Sequence, residues 1–436
     1  MKDNFDLIII GGGILGTSLS YFLSFLNKSK KIAVIEQEHN VAQHTSGRNT
    51  GKVHAPYLYN PEKKKLFANA AFHGYEMWKE YSKLQNLPFK EDGVIEVALD
   101  EKGIKVLEKY LKWGKQNGLE EKDIELIDKT KLKKIEPEIK CEAALYAHRD
   151  GSTDYSILTN SIMKDSKKNG IDFLLEKKVT QIKKINDKWE ITINEDHKIF
   201  TDFLINAAGG KAIDIAHNIE VAKNLTDVHF RGEYWKTPKK YHSLTKTSVY
   251  SVPEFPDYPF LDPHWIIRVD GSCEIGPNAV PVFSPYGYDT AENIKEFIPK
   301  VFEMLGSGAR KAIFDKQFQE LAFSEIQSSM SKSVMIERVN KFLPKINPKE
   351  ITEKGIAGIR SSVINENGKF VPDVILLEEE TSFHILNYNS PGATGALPFS
   401  AHVINQLHKK GLFESEDIGA QCGPWKFNDI IEKLEK

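Results

Sequence analysis

Three glycines and one acid near the start of the chain have the spacing to hold a diphosphate. Gly11-Gly12-Gly13-Ile14-Leu15-Gly16 is a G-x-G-x-x-G pattern, and Glu36 lies 20 residues beyond Gly16. Gly11 permits a tight turn, and Gly13 lets a pyrophosphate approach the backbone where a Cβ would stand in the way. Gly16 lets the following helix pack close to its strand. The unsatisfied N–H groups and positive end of that helix attract phosphates. The acid sits where the ribose hydroxyls of an adenosine would donate to it.

For these residues to work they need a strand, a turn, a helix and a second strand, in that order. Asp6-Leu-Ile-Ile-Ile10 reads as a buried parallel strand. Thr17 to Phe25 follows with a helical apolar pattern, and Lys31-Ile-Ala-Val-Ile35 is the second strand, ending at the acid. Nicotinamide and flavin dinucleotides both use this unit. Two further segments favour FAD. Phe200-Thr-Asp-Phe-Leu-Ile-Asn-Ala-Ala-Gly209-Gly210 reads as a strand running into a small-residue turn beneath the diphosphate. Thr45-Ser46-Gly47-Arg48-Asn49-Thr50-Gly51 is a small polar loop placed to cradle the flavin side.

The 436 residues suggest two or three compact units, and 40% hydrophobic content is too high for a disordered chain. Lys+Arg (59) nearly balance Asp+Glu (61), for a net charge of -2. That balance argues against a global grip on nucleic acid, and no basic stretch interleaved with aromatics supplies a local one. Cys141, Cys273 and Cys422 are scattered, with neither metal-ligand nor disulfide spacing, so no metal is expected and a reducing, cytoplasmic setting is. The apolar run from Phe5 to Leu26 is broken by the glycine cluster, which argues against a span. The mixed charges of Lys2 and Asp3 and the lack of a cleavage site argue against a signal peptide. Peripheral attachment to the inner membrane face stays open.

Helices are expected at 66–85, 102–117, 128–135 and 156–168, strands near 93–99, 171–175, 178–186 and 189–193, and antiparallel sheet across 234–279. The segment 291–346 reads as mainly helical and 356–385 as short strands. A last helix, 397–410, follows Gly392-Ala-Thr-Gly395. The fold class is therefore α/β, α+β overall: a discontinuous Rossmann-like FAD-binding domain (1–85, 140–215 and 350–436) with a strand-rich substrate domain (86–139 and 216–349).

Six pieces carry a family resemblance: Asn49-Thr-Gly-Lys-Val-His54-Ala55, Arg231-Gly-Glu-Tyr234, Pro259-Phe-Leu-x-x-His264 with Arg268, Gly276-Pro-Asn-Ala279, Gly358-Ile-Arg360 and Asn389-Ser-Pro-Gly-Ala-Thr-Gly-Ala396. In this order they resemble the D-amino-acid-oxidase-like FAD oxidoreductases, and within them most of all the L-2-hydroxyglutarate dehydrogenase/oxidase family. The likeness runs from Asp6 to about Leu407. It implies hydride transfer from a 2-hydroxy acid to flavin N5, giving a 2-oxo acid, with electrons passed to a quinone or to oxygen. An amine or amino-acid oxidase of the same fold is the alternative.

The residues agree with that chemistry. A hydroxyl proton must leave as hydride leaves C2, and histidine is the side chain best poised to take it near neutral pH. His54 and His264 are the candidates. A carboxylate substrate asks for guanidinium partners, for which Arg231, Arg268 and Arg360 stand, with Tyr57 beside them. The expected cofactor contacts are Gly11, Gly13, Ile14, Leu15, Gly16, Glu36, Gln37, Thr45, Ser46, Asn49, Thr50, Gly51, Val179, Ala208, Gly209, Arg360, Gly392, Ala393 and Thr394. Gly392-Ala-Thr-Gly395 opens a helix whose positive end, in this fold family, points at the flavin N1/O2 edge. Two departures from the family pattern matter. Lys52 and Pro56 replace an apolar residue and a glycine, and an acid and a proline precede His264 in Leu261-Asp262-Pro263. With 52–54 extended, Lys52 and His54 share a face. Lys52 is there to pair with a substrate carboxylate, to assist oxygen chemistry, or to meet solvent.

Overall fold

The computed structural model describes residues 3–253, 262–389, 392–412 and 419–435. Its core sheet is built on the strand Asp3–Ile10, whose residues Leu7 to Ile10 are all buried, as a strand covered on both faces requires. It pairs in parallel with Ile32–Ile35 on one side and His197–Asn206 on the other. The order along its main path is Val179–Ile185, Lys188–Ile193, His197–Asn206, Asp3–Ile10, Ile32–Ile35 and Asp172–Leu174, with Ser382–Leu386 and Ile375–Glu378 branching from it. The end of His197–Asn206 also pairs in parallel with Ser382–Leu386, which draws the C-terminal part of the chain into the same sheet. Helix Ile14–Leu26 starts directly from the glycine turn and is buried along almost its whole length. Helices Tyr155–Lys168 and Ala396–Lys409 pack against it. Asp154 caps the first of these by accepting from the N–H groups of Ser156 and Ile157.

A second sheet has the order Glu353–Lys354, Trp235–Lys236, Cys273–Gly276, His264–Ile267, Ser248–Ser251, Val94–Ala98, Ala143–Ala147 and Ile124–Asp128. It is antiparallel except where Ser248–Ser251 runs parallel to Val94–Ala98. Ala143–Ala147, inside a range expected in the cofactor unit, is hydrogen-bonded into this sheet. Thr226–Gly232 pairs separately with Val280–Val282 and Gly358–Ile364, setting Phe230 opposite Arg360.

The sequence reading ends its helices at 410, but a further one, Phe427–Glu435, follows. It buries Phe427, Ile430, Ile431 and Leu434, an apolar stripe too short to stand out in a lysine-rich tail. Helix Ala212–Asn218 was likewise not expected. The Gly392 segment first makes a 3-10 turn, Gly392–Gly395, and the α-helix begins at Ala396. Residues 259–261 of the Pro259-Phe-Leu motif, and 390–391 of the Asn389 motif, lie outside the described residues. No described helix is long and apolar enough to cross a membrane. No described group of three or more His, Cys, Asp or Glu is set to hold a metal ion.

Candidate active site

One long cleft follows the C-terminal ends of the parallel strands. Its first half is lined by Gly11, Glu36, Gln37, Val179 and Ala208, among others. Its second half is lined by Ile14, Leu15, Asn49, Thr50, Lys52, His54, Gly392 and Ala393. Both halves share Gly13, Thr45, Ser46 and Gly209. The glycine turn is a cradle that side chains would fill. Gly11 has φ +109°, and a Cβ there would sit 2.4 Å from the Ala207 carbonyl oxygen. A Cβ on Gly16 would lie 1.9 Å from the Gly11 carbonyl oxygen, so this glycine sets the helix against the turn without facing the cleft. Glu36 accepts from Gly12 N–H at 2.7 Å and from Glu38 N–H at 2.9 Å, while burial raises its pKa above the usual carboxylate value.

The polar loop after the second strand is braced from several sides. Ser46 Oγ accepts the Ile14 N–H at 2.9 Å, and Thr45 Oγ donates to the Ile359 carbonyl at 2.9 Å. Asn49 donates to the Thr45 and Ser46 carbonyls and accepts from Gly51 N–H. The loop is thereby fixed to both the glycine turn and the strand that carries Arg360.

At the other end, His54 leaves the short strand Lys52–Val53 with its N–H donating to Thr394 Oγ at 2.9 Å. Its Nδ1 is 3.2 Å from Asp150 Oδ2. Lys52 Nζ lies 2.9 Å from Asp92 Oδ1 and 3.7 Å from Asp150 Oδ1, and donates to the Gly93 carbonyl. Both side chains therefore reach Asp150, a residue the sequence reading did not single out. Thr394 is buried behind the Gly392 turn, Trp78 Nε1 donates to the Ala393 carbonyl, and Tyr388 OH donates to the Gly392 carbonyl.

His264 stacks on Tyr250 with ring centroids 3.9 Å apart, and Tyr250 stands edge-on to His54 at 6.0 Å. Neither ring nitrogen of His264 has a hydrogen-bond partner among the described residues. Burial, then electrostatic coupling to His54 and Arg360, push its pKa down to about 3. It is thus a neutral imidazole. Burial also lowers the Arg360 pKa, with Tyr234 as its charge neighbour. Arg231 donates to Glu233 and to the Gly287 carbonyl, each at 3.0 Å. Arg268 is paired with Glu274, Nε to Oε2 at 2.9 Å, and also donates to the Asn49 carbonyl. These two arginines therefore hold carboxylates of the chain itself. Tyr57 is fully buried next to Glu96, whose carboxyl is pushed up to about 8 by burial.

Further cleft residues escaped the sequence reading: His44, Tyr286, Asp227, Ser361 and Asn387. His44 packs 4.3 Å from the Tyr286 ring, while Nε2 meets Glu38 at 2.8 Å. Of these, His44 adjoins the Thr45 loop, Ser361 follows Arg360 and Asn387 stands two residues before the Asn389 motif, whereas Asp227 and Tyr286 lay beside no sequence signal.

A diphosphate cradle with an acid at one end of the cleft and a buried histidine at the other fit a dinucleotide-dependent oxidoreductase. Residues 6–406 match the family described as DAO, FAD dependent oxidoreductase, and the chain belongs to it. It is similar to the L-2-hydroxyglutarate dehydrogenase of Indibacter alkaliphilus, 30% identical over 93% of this chain and 100% of that protein. Among solved structures it resembles the dithionite-reduced L-α-glycerophosphate oxidase of Mycoplasma pneumoniae with FAD bound. That match has a TM-score of 0.71 and 21% identity, covering 93% of this chain and 95% of the other. It also resembles glycine oxidase from Geobacillus kaustophilus, with a TM-score of 0.69 and 13% identity, covering 98% of each. The cofactor is FAD, and the glycine cradle, the acid beyond it and the length of the cleft fit that molecule.

Proposed function

We propose that this chain oxidises a 2-hydroxy acid, L-2-hydroxyglutarate first among candidates, to the corresponding 2-oxo acid. Bound FAD supplies the two-electron acceptor that takes the hydride from C2. The glycine turn and Glu36 hold its adenosine diphosphate part, and the Gly392–Ala393 turn and the Asn49–Thr50 loop flank its reactive part. His54 accepts the hydroxyl proton. Arg360 attracts the substrate carboxylate, His264 and Tyr250 wall the site, and Tyr57 shapes its floor. Arg268 and Arg231 keep the surrounding backbone in place through Glu274 and Glu233.

The observation that carries this reading is a histidine lining the cleft beside the Gly392 turn with a buried carboxylate behind it. The similarity to a protein named L-2-hydroxyglutarate dehydrogenase supports the choice of acid. The experiment is anaerobic mixing of the yellow holoenzyme with a panel of hydroxy and amino acids. Bleaching by L-2-hydroxyglutarate is expected; bleaching by amino acids alone would overturn the substrate. His54→Ala should keep its flavin yet be reduced at least about a hundredfold more slowly.

We also propose that the electrons pass to quinone or oxygen, with peripheral contact to a membrane. Support comes from helix Thr290–Gly306, where Ile294, Ile298 and Phe302 recur along one face and Phe302 is 72% exposed. Co-sedimentation with anionic vesicles is expected, and protein left in the supernatant would overturn this part.

A further inference from the structure

Asp150 is completely buried in the turn before the short strand Gly151–Thr153, which pairs with Lys52–Val53. Its Oδ2 faces two nitrogens, His54 Nδ1 at 3.2 Å and the Ala55 N–H at 3.2 Å. Its Oδ1 has no hydrogen-bond partner among the described residues but lies 3.7 Å from Lys52 Nζ. Lys52 is in turn tied to Asp92, whose Oδ2 accepts from Ser152 Oγ at 2.5 Å. A carboxylate can only accept, so the His54 contact requires the proton on Nδ1. That tautomer leaves Nε2 with its lone pair. Buried charge is expensive unless paired, and here Asp92, Lys52 and Asp150 form a row with one net negative charge. An imidazolium beside it brings the row to neutrality. The arrangement therefore favours the state that follows proton uptake.

We propose that Asp150 is the positioning residue that fixes His54 as a base, with the Lys52–Asp92 pair holding Asp150 in line. The inference rests on the proposed reading of His54 as proton acceptor. The substrate hydroxyl proton moves to His54 Nε2, and the O–H electron pair becomes the second C–O bond as hydride leaves C2 for the cofactor. The imidazolium so formed faces Asp150 through Nδ1–H. On this account Lys52 does not bind the substrate; its positive charge is taken up by the carboxylates of buried Asp150 and of Asp92. The other groups around His54 differ in kind: His264 is a neutral imidazole stacked on Tyr250, and Arg360 acts electrostatically on His264.

A purely structural Asp150 would only brace Ala55, so the test needs readouts that bracing would not move. Holoenzymes of the wild type, Asp150→Asn and Asp150→Glu are compared by flavin content, by KM and kcat, and by nitrogen NMR of isotope-labelled histidine. His54→Gln identifies the His54 signals. In Asp150→Asn we expect full flavin content, KM within roughly threefold and kcat lower by at least about a hundredfold. Asp150→Glu should recover part of kcat and keep Nδ1 protonated. A folded Asp150→Asn enzyme with kcat within roughly threefold of the wild type overturns the proposal. So does a wild-type His54 carrying its proton on Nε2, a result that needs no Asp150 variant to fold. If L-2-hydroxyglutarate fails to reduce the wild type, the substrate reading falls, while the tautomer still decides the Asp150 pairing.

Discussion

At the end of the cleft near Glu36, the glycine turn, the acid and the start of the polar loop all come from residues 10–46, and residues 177–180 and 207–218 close the other side. At the end near His54, side chains do the work, and they arrive from segments around residues 54, 92, 150, 250, 264, 360 and 394. A diphosphate is the same in every dinucleotide, so a fixed local pattern suffices to hold it. A substrate is particular, and its site must be composed from whatever the tertiary structure brings together. The first end should therefore fail by steric exclusion, the second by loss of single interactions.

The largest effect is expected at the first end. In Gly16→Val the new side chain has no room against the Gly11 carbonyl, and the helix must move off the turn. The purified variant should carry no flavin, which absorbance would show; a fully yellow variant would remove the close-packing argument.

The two partly buried arginines at the second end separate binding from support. Arg360→Ala should raise KM for an acid substrate by roughly ten- to a hundredfold, the value of a charged hydrogen bond. Arg268→Ala should act on stability instead. It leaves Glu274, 7% exposed, without its partner, costing about 3 kcal/mol in a denaturant melt while KM stays nearly level. Equal effects on KM would mean that the ion pair opens to receive substrate.

These contrasts also mark what could be read from the chain. The phosphate cradle is local, so spacing alone located Gly11, Gly13 and Glu36. The sheet and most helices follow from apolar periodicity. Asp150 carries no such signal: it precedes a three-residue strand, and only pairing with Lys52–Val53 brings it to His54. The partners of Arg231 and Arg268 were equally hidden. Glu233 lies two residues along the same strand ending, and Glu274 comes from the strand paired with His264–Ile267. Composition makes an arginine look free, whereas its state depends on which acid folds back against it.

A separate expected effect concerns Glu96. Burial raises its pKa from 4.5 to about 8 in the folded protein, so between those values the folded chain binds the proton more tightly than the unfolded chain. Stability contributed by the protonated group is complete at the acid side of that window and lost as pH rises through it. Glu96→Gln should flatten this part of the stability profile in melts taken across the window. A profile that still falls with the same slope would place the titration elsewhere.

The hydrogen bond from His54 N–H to Thr394 Oγ joins residues 340 positions apart. On the ribosome, the amino-terminal cradle emerges early, long before its distant partner has been synthesised. Loop closure over such a separation is slow, so the nascent chain can fold its first strands yet has no finished reaction chamber. Completion of the chamber must wait for residue 394, and any premature stop ahead of it removes the acceptor of the His54 N–H.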